Sequence, residues 1–153
     1  MVKRVVYFFA LFFFLSAPMA WVLGATVWMG PTYDLTLPHV TQSGQSITGG
    51  LDLALQHDGP CDVTIHPLRA GGEVLTGPGG ATLKTSYKLT GAAILVPDAD
   101  WVESADFRVR AYHIQSSGPT TDVLRLEVKG ESPTGGAVPA GDYTTSFALT
   151  VTW

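Results

Sequence analysis

His57, Cys61 and His66 are the first residues in this chain whose types suggest chemistry, because a thiolate with two imidazoles is a copper or zinc donor set. Their spacing argues against it. HDGPC reads as a turn leading into a strand, and alternation along CDVTI sets His66 on the face opposite Cys61. His39 and His113 have no companions at ligand spacing. Hydrolysis would need a nucleophile beside a base, with a third group orienting that base. Ser86, Ser104, Ser116 and Ser146 sit in no nucleophile-elbow pattern, and Asp98, Asp100 and Asp106 read as turn formers. RAGGEVLTGPGG is rich in glycine but lacks the lysine and the following helix of a phosphate cradle. Trp28, Trp101 and Trp153 are flat surfaces of the kind that stack on sugars, but Trp153 is in phase with an apolar row and Trp101 follows the turn PDAD. We read both as core or interface. No catalytic residue, metal site or cofactor is assigned, and the chain is read as a non-enzyme.

The elements that would position these residues are strands. No stretch keeps a helical apolar period for ten residues, whereas a period of two recurs. It groups Tyr33, Leu35 and Leu37; Leu51, Leu53 and Leu55; Cys61, Val63 and Ile65; Tyr87 and Leu89; and Leu124, Leu126 and Val128. DFRVRAYHI is read as a strand with Phe107, Val109 and Ala111 on one face and Arg108, Arg110 and Tyr112 on the other; GAAILVP is read as a further short strand. Gly/Pro joints such as HDGP, VPDAD and SSGPTTD separate these runs. Lys84, Lys88, Arg108, Arg110 and Arg125 are expected on a solvated outer sheet face. The expected fold is all-β, an immunoglobulin-like antiparallel sandwich of seven or eight strands.

The start, MVKRVVYFFALFFFLSAPMAWVLGA, has the order of a secretory signal: Lys3 and Arg4, an apolar run, then small residues. We expect residues 1–25 to be removed, residues 26–40 to form an N-terminal extension, and residues 41–153 to form one domain. Without Lys3 and Arg4 there are seven basic against thirteen acidic side chains, a formal charge of −6. Nucleic acid and anionic membrane are poor partners for that surface. Cys61 is the sole cysteine, so no disulfide forms within the chain. A lone exported thiol either joins another chain or acts as a ligand, or it is a small buried side chain, the reading we favour.

The final stretch, YTTSFALTVTW, alternates throughout: Tyr143, Phe147, Leu149, Val151 and Trp153 share one side, and a row rich in threonine lies on the other. Together with the preceding AVPAGD, this segment resembles the C-terminal end of subunits of archaic chaperone-usher pili and of the related spore coat protein U domain. The resemblance covers Ala137 to Trp153. It implies a sandwich missing one strand, with a groove beside the last strand that a chaperone fills first and a neighbouring subunit fills on assembly. It further implies a groove lined by Tyr143, Phe147, Leu149, Val151 and Trp153, with Tyr143 marking the turn into the strand, and a donor strand carrying Tyr33, Leu35 and Leu37. The partners would be a periplasmic chaperone and neighbouring subunits of the same or a related kind. The chain would be exported, in the periplasm in transit and then at the cell surface or extracellular, with no membrane association after signal cleavage. Two other readings follow from the same residues. One is a free-standing secreted sandwich that binds a sugar or protein; the other is a small outer-membrane barrel, which also ends on an aromatic.

Overall fold

The computed structural model describes residues 28–29, 37, 44–68, 73–134 and 138–152. Two antiparallel sheets pack face to face. The first contains β1 (Trp28–Met29), β2 (Ser46–His57), β7 (Thr120–Glu131), β4 (Lys84–Thr90) and β5 (Val102–Glu103), in that spatial order. The second is β6 (Ala111–Ile114), β3 (Cys61–Pro67) and β8 (Phe147–Thr152). The order β1-β2-β7-β4 corresponds to strands A, B, E and D of an immunoglobulin-like sandwich, and β3-β8 corresponds to C and F. The fold is therefore the expected all-β sandwich. Each sheet ends in open edges, so the described residues do not form one closed barrel.

The backbone of the first sheet is the pair β2 and β7, in register from Ser46↔Glu131 to His57↔Thr120. The rows predicted by alternation point into the core: Val63 and Ile65 on β3, Tyr87 and Leu89 on β4, and Leu124 and Val128 on β7 are all buried. Lys84, Lys88 and Arg125 face outward, as a period of two requires.

Three expectations need correction. DFRVRAYHI is not one strand. A single helical turn, α1 (Ser104–Phe107), closes with Arg108 N–H donating to Ser104 O, and β6 starts only at Ala111. The helical turn resets the phase, so Phe107, Tyr112 and Ile114 are buried while Val109 is 74% exposed and Ala111 faces solvent. GAAILVP is a turn that touches β6 through one bridge, Ile94↔Ile114, because the chain bends back to let Asp98 N–H reach Leu89 O. The five basic residues do not share a face. Arg108 and Arg110 lie beyond α1, where they pair with Glu73 and Asp98, while Lys84 pairs with Glu103 and Arg125 with Asp52 on the first sheet.

One seam between the sheets is closed by these irregular segments. Tyr87 stacks on Phe107 at 4.9 Å between ring centroids, and Phe107 meets Tyr112 at 5.9 Å. The Asp98 carboxylate, almost fully buried, accepts hydrogen bonds from Leu89 N–H, Tyr112 O–H and Arg110 Nη1. Three hydrogen bonds to one carboxylate thus tie β4, β6 and the loop after α1 together.

Candidate functional site

The opposite seam lies between β2 and β8, and it differs in depth. β8 runs antiparallel to β3 with Val63↔Val151, Ile65↔Leu149 and Pro67↔Phe147. Val63 and Ile65 are 0% and 2% exposed, yet Val151, Leu149 and Phe147 are only half-buried although they face the same core. The first sheet repeats the pattern. Leu51 and Leu53 are half-buried, while their partners Leu126 and Leu124 are 3% and 0% exposed. Among the described residues, β8 pairs only with β3, and the outer edge of β2 pairs only at Leu55 and Gln56. Each lip therefore presents an apolar row beside an edge whose backbone groups can accept a further strand. In the lettering used above, the position beside β8 that no strand fills among the described residues is that of G.

Entry into β8 is set by a corner. Tyr143 is buried, and its O–H donates to Pro139 O at 2.9 Å, the geometry of the tyrosine corner that precedes strand F in immunoglobulin-like domains. Its ring lies flat on Gly77, where a Cβ would come within 2.5 Å of the ring. Gly141, at φ +152, takes a conformation that L side chains rarely adopt and sits against Pro78. The Pro-Ala-Gly-Asp-Tyr segment quoted from the sequence is therefore the device that aims β8, with Thr76↔Thr144 bridging across it.

The sequence-predicted site residues divide as follows. Phe147, Leu149 and Val151 form the β8 lip, and Phe147 meets the Tyr87 ring edge-on at 5.0 Å. Tyr143 stands in the corner just before that lip. Leu37 is 5% exposed within the core of its own chain. Trp153, Tyr33 and Leu35 lie outside the described residues, as do residues 1–25. Trp101 is partly buried, with the Lys129 ammonium 5.2 Å from its ring centroid. Cys61 is buried at 3% exposure, and burial followed by the neighbouring Asp62 and Asp122 charges pushes its thiol pKa up. A covered, protonated thiol does not join chains. His66 points to the other face, with Nε2 3.4 Å from Thr150 Oγ1.

The fold also assembles a cluster that the sequence did not suggest. His57, 1% exposed at the end of β2, has Nδ1 2.6 Å from Gly59 O and Nε2 2.7 Å from Asp122 Oδ2. Ser116 Oγ donates to Asp122 Oδ2 and lies 3.3 Å from the same Nε2. The composition is that of a hydrolase triad, but the connectivity is not. A triad needs the carboxylate on one ring nitrogen and the hydroxyl on the other. Here both meet Nε2 and a carbonyl occupies Nδ1, so the cluster acts as a staple between the end of the first sheet and the loop after β6. No local signal reveals it, since Ser116 and Asp122 are 59 and 65 residues from His57.

No protein-family model and no curated protein matches the chain. A solved structure described as "Chaperone-tip adhesin complex is vital for synergistic activation of CFA/I fimbriae biogenesis" aligns at 14% identity and a TM-score of 0.46. The alignment covers 84% of this chain and 41% of that one. This chain thus spans less than half the length of the other, and a superposition at that TM-score carries no argument.

Proposed function

We propose that this protein is an exported structural or adhesive subunit of a surface fibre or coat, assembled by adding a strand from a neighbouring copy at the β2/β8 seam. One observation carries the reading: Leu51 and Leu53 on β2 and Leu149 and Val151 on β8 are partly exposed, while their register partners Leu126, Leu124, Ile65 and Val63 are buried. A strand laid along β8 would satisfy its edge and cover Leu149 and Val151. Backbone pairing would supply affinity and alternate side chains selectivity. In transit a periplasmic chaperone would serve the same lip, and the neighbouring copy's residues 26–40 would serve it in the fibre. Catalysis has no place in this reading.

The test uses the full exported chain with a peptide copying Thr26 to Val40. The peptide is expected to protect the outward-facing β8 amides from hydrogen exchange. A monomer whose β8 amides exchange unchanged at saturating peptide would be a free-standing module, and the seam would not be an acceptor. Leu149→Asp and Val151→Asp are expected to abolish assembly, because an unpaired charge would then enter an apolar contact. Normal assembly of both variants removes β8 from the mechanism.

A further inference from the structure

Both ring nitrogens of the buried His57 face groups that accept protons. Gly59 O, 2.6 Å from Nδ1, is a carbonyl oxygen and only accepts, so Nδ1 carries a hydrogen. Asp122 Oδ2, 2.7 Å from Nε2, already accepts the Ser116 hydroxyl, and an ionised carboxylate likewise only accepts. A neutral ring has one N–H and would point a lone pair at that oxygen, so the contact needs a second proton between Nε2 and Asp122. The proton belongs to the ring: burial works to raise the Asp122 pKa, yet the hydrogen bonds it receives and the attraction of the ring hold its carboxyl below the usual range. The other ionisable groups around the pair do not compete for that role. Cys61 on β3 is a covered thiol whose pKa is raised by burial and then by the Asp62 and Asp122 charges. Asp58 lies in the turn beside Gly59, and Asp62 holds His113 of β6 in an ion pair. Surroundings dominated by carboxylates favour a positive ring.

We infer that His57 is a buried imidazolium whose second proton latches the staple, so that raising the pH until that proton leaves opens this end of the sandwich. The Ser116 hydroxyl, 3.3 Å from Nε2, is placed to turn from Asp122 to the bared nitrogen. Asp122 then loses both hydrogen bonds together, and its carboxylate, 18% exposed, is left to water. The parts released are the end of β2, where Leu55 is in register with Asp122, and the loop after β6. Both sheets meet at this point: β2 of the first ends on His57, β3 of the second begins at Cys61, and Asp62 pairs with Thr152 at the end of β8. In the unfolded chain a free imidazole is largely neutral at about pH 7. The folded state thus binds one proton more, and by linkage the stability it gains is present at lower pH and lost as pH rises. Nothing in this latch depends on strand addition at the seam.

The test is NMR of the ring nitrogens in the full exported chain carrying heavy carbon and nitrogen, with the His57 ring assigned through bonds to its own backbone. At about pH 7 both nitrogens are expected to show the shifts of protonated nitrogens, although a free imidazole there is largely neutral. A bare, pyridine-type signal from either nitrogen under those conditions overturns the inference. As pH is raised and the Nε2 proton leaves, the amides of Leu55–His57 and Thr120–Asp122 are expected to open about tenfold more often, the weight of one hydrogen bond to a charged group. Opening is read by hydrogen exchange corrected for the intrinsic rise of exchange with pH, and loss of the proton with no change in opening overturns the latch. Asp122→Asn is expected to return the ring to one proton near neutrality, because the side-chain amide can donate to a bare Nε2. His57→Gln, which cannot titrate, is expected to remove the pH step at these amides. A ring that keeps both protons in Asp122→Asn, or a step that survives His57→Gln, overturns the inference as well. Should either variant fail to fold, the ring signals of the unaltered chain decide alone.

Discussion

On the β4 side of the sandwich, three aromatic rings and a buried carboxylate span the gap between the sheets; on the β2 side, the same kind of alternating strand reaches an edge and its inward Leu51 and Leu53 remain partly exposed. The local patterns are alike on the two sides. What differs is that irregular chain, the segment from Asp98 through Arg110, folds over one seam and supplies Phe107 and Asp98 there. The closed seam is held by rings and a buried carboxylate; on the strand-addition reading, the open one is where a further strand would be received. It would be received without disturbing the rest of the core.

The largest blow to this contrast would come from the closed side. Tyr87→Ala is expected to cost about 3–5 kcal/mol in denaturant unfolding, because a fully buried ring that contacts Phe107 and Phe147 is lost. A cost near zero would mean that the seam is not closed in solution. Asp98→Ala should follow at roughly 3 kcal/mol, since it strands the Leu89 N–H, the Tyr112 hydroxyl and the Arg110 guanidinium. Tyr112, whose hydroxyl pKa is raised by burial and then by Asp98, should titrate closer to an ordinary phenol in that variant, which ultraviolet difference spectra would show.

The matched pair across β3 and β8 sharpens the comparison directly. Ile65→Ala is expected to cost about 3–4 kcal/mol, and Leu149→Ala in the opposed position about 1–2 kcal/mol, because Leu149 is partly exposed to water already. The ranking should reverse for assembly, with Leu149→Ala weakening fibre formation more than its monomer cost accounts for. Equal monomer costs would erase the distinction between lip and core.

The smallest expected effect is at the staple. Burial works to raise the Asp122 pKa, but hydrogen bonds from Ser116 and His57 and attraction to the His57 ring outweigh it and hold the carboxyl below its usual 3.8. With the folded value depressed, its stabilising contribution is fully present above the unfolded value and is lost as pH falls through the folded one. Asp122→Asn should therefore flatten the acid limb of the stability-against-pH curve. An unchanged acid limb would mean that the Ser116–Asp122–His57 contacts do not persist in solution.

Alternation in the sequence placed the inward rows of β2, β3, β4 and β7 correctly, because the face of a strand residue follows from a period of two and needs no knowledge of neighbours. It failed where one helical turn intervened. Ser104–Phe107 shifted the phase, so Tyr112 and Ile114, rather than Val109 and Ala111, point inward. Phe147, Leu149 and Val151 could be named as one row, and PAGDY as the turn before it. That Tyr143 locks onto Gly77 was not legible, since the contact joins segments far apart in the chain. The Ser116–His57–Asp122 staple was invisible for the same reason.

By itself the sequence determined which residues share a face along β2, β3, β4 and β7, and that an acidic chain with one cysteine is held by sheet packing rather than by a disulfide of its own. Only the tertiary structure decided how deep each face lies. Leu149 and Ile65 carry the same kind of signal in the sequence, yet one sits on an edge and the other inside. Side-chain direction is a property of the strand, whereas coverage is a property of the strand's neighbours, and those arrive from distant parts of the chain.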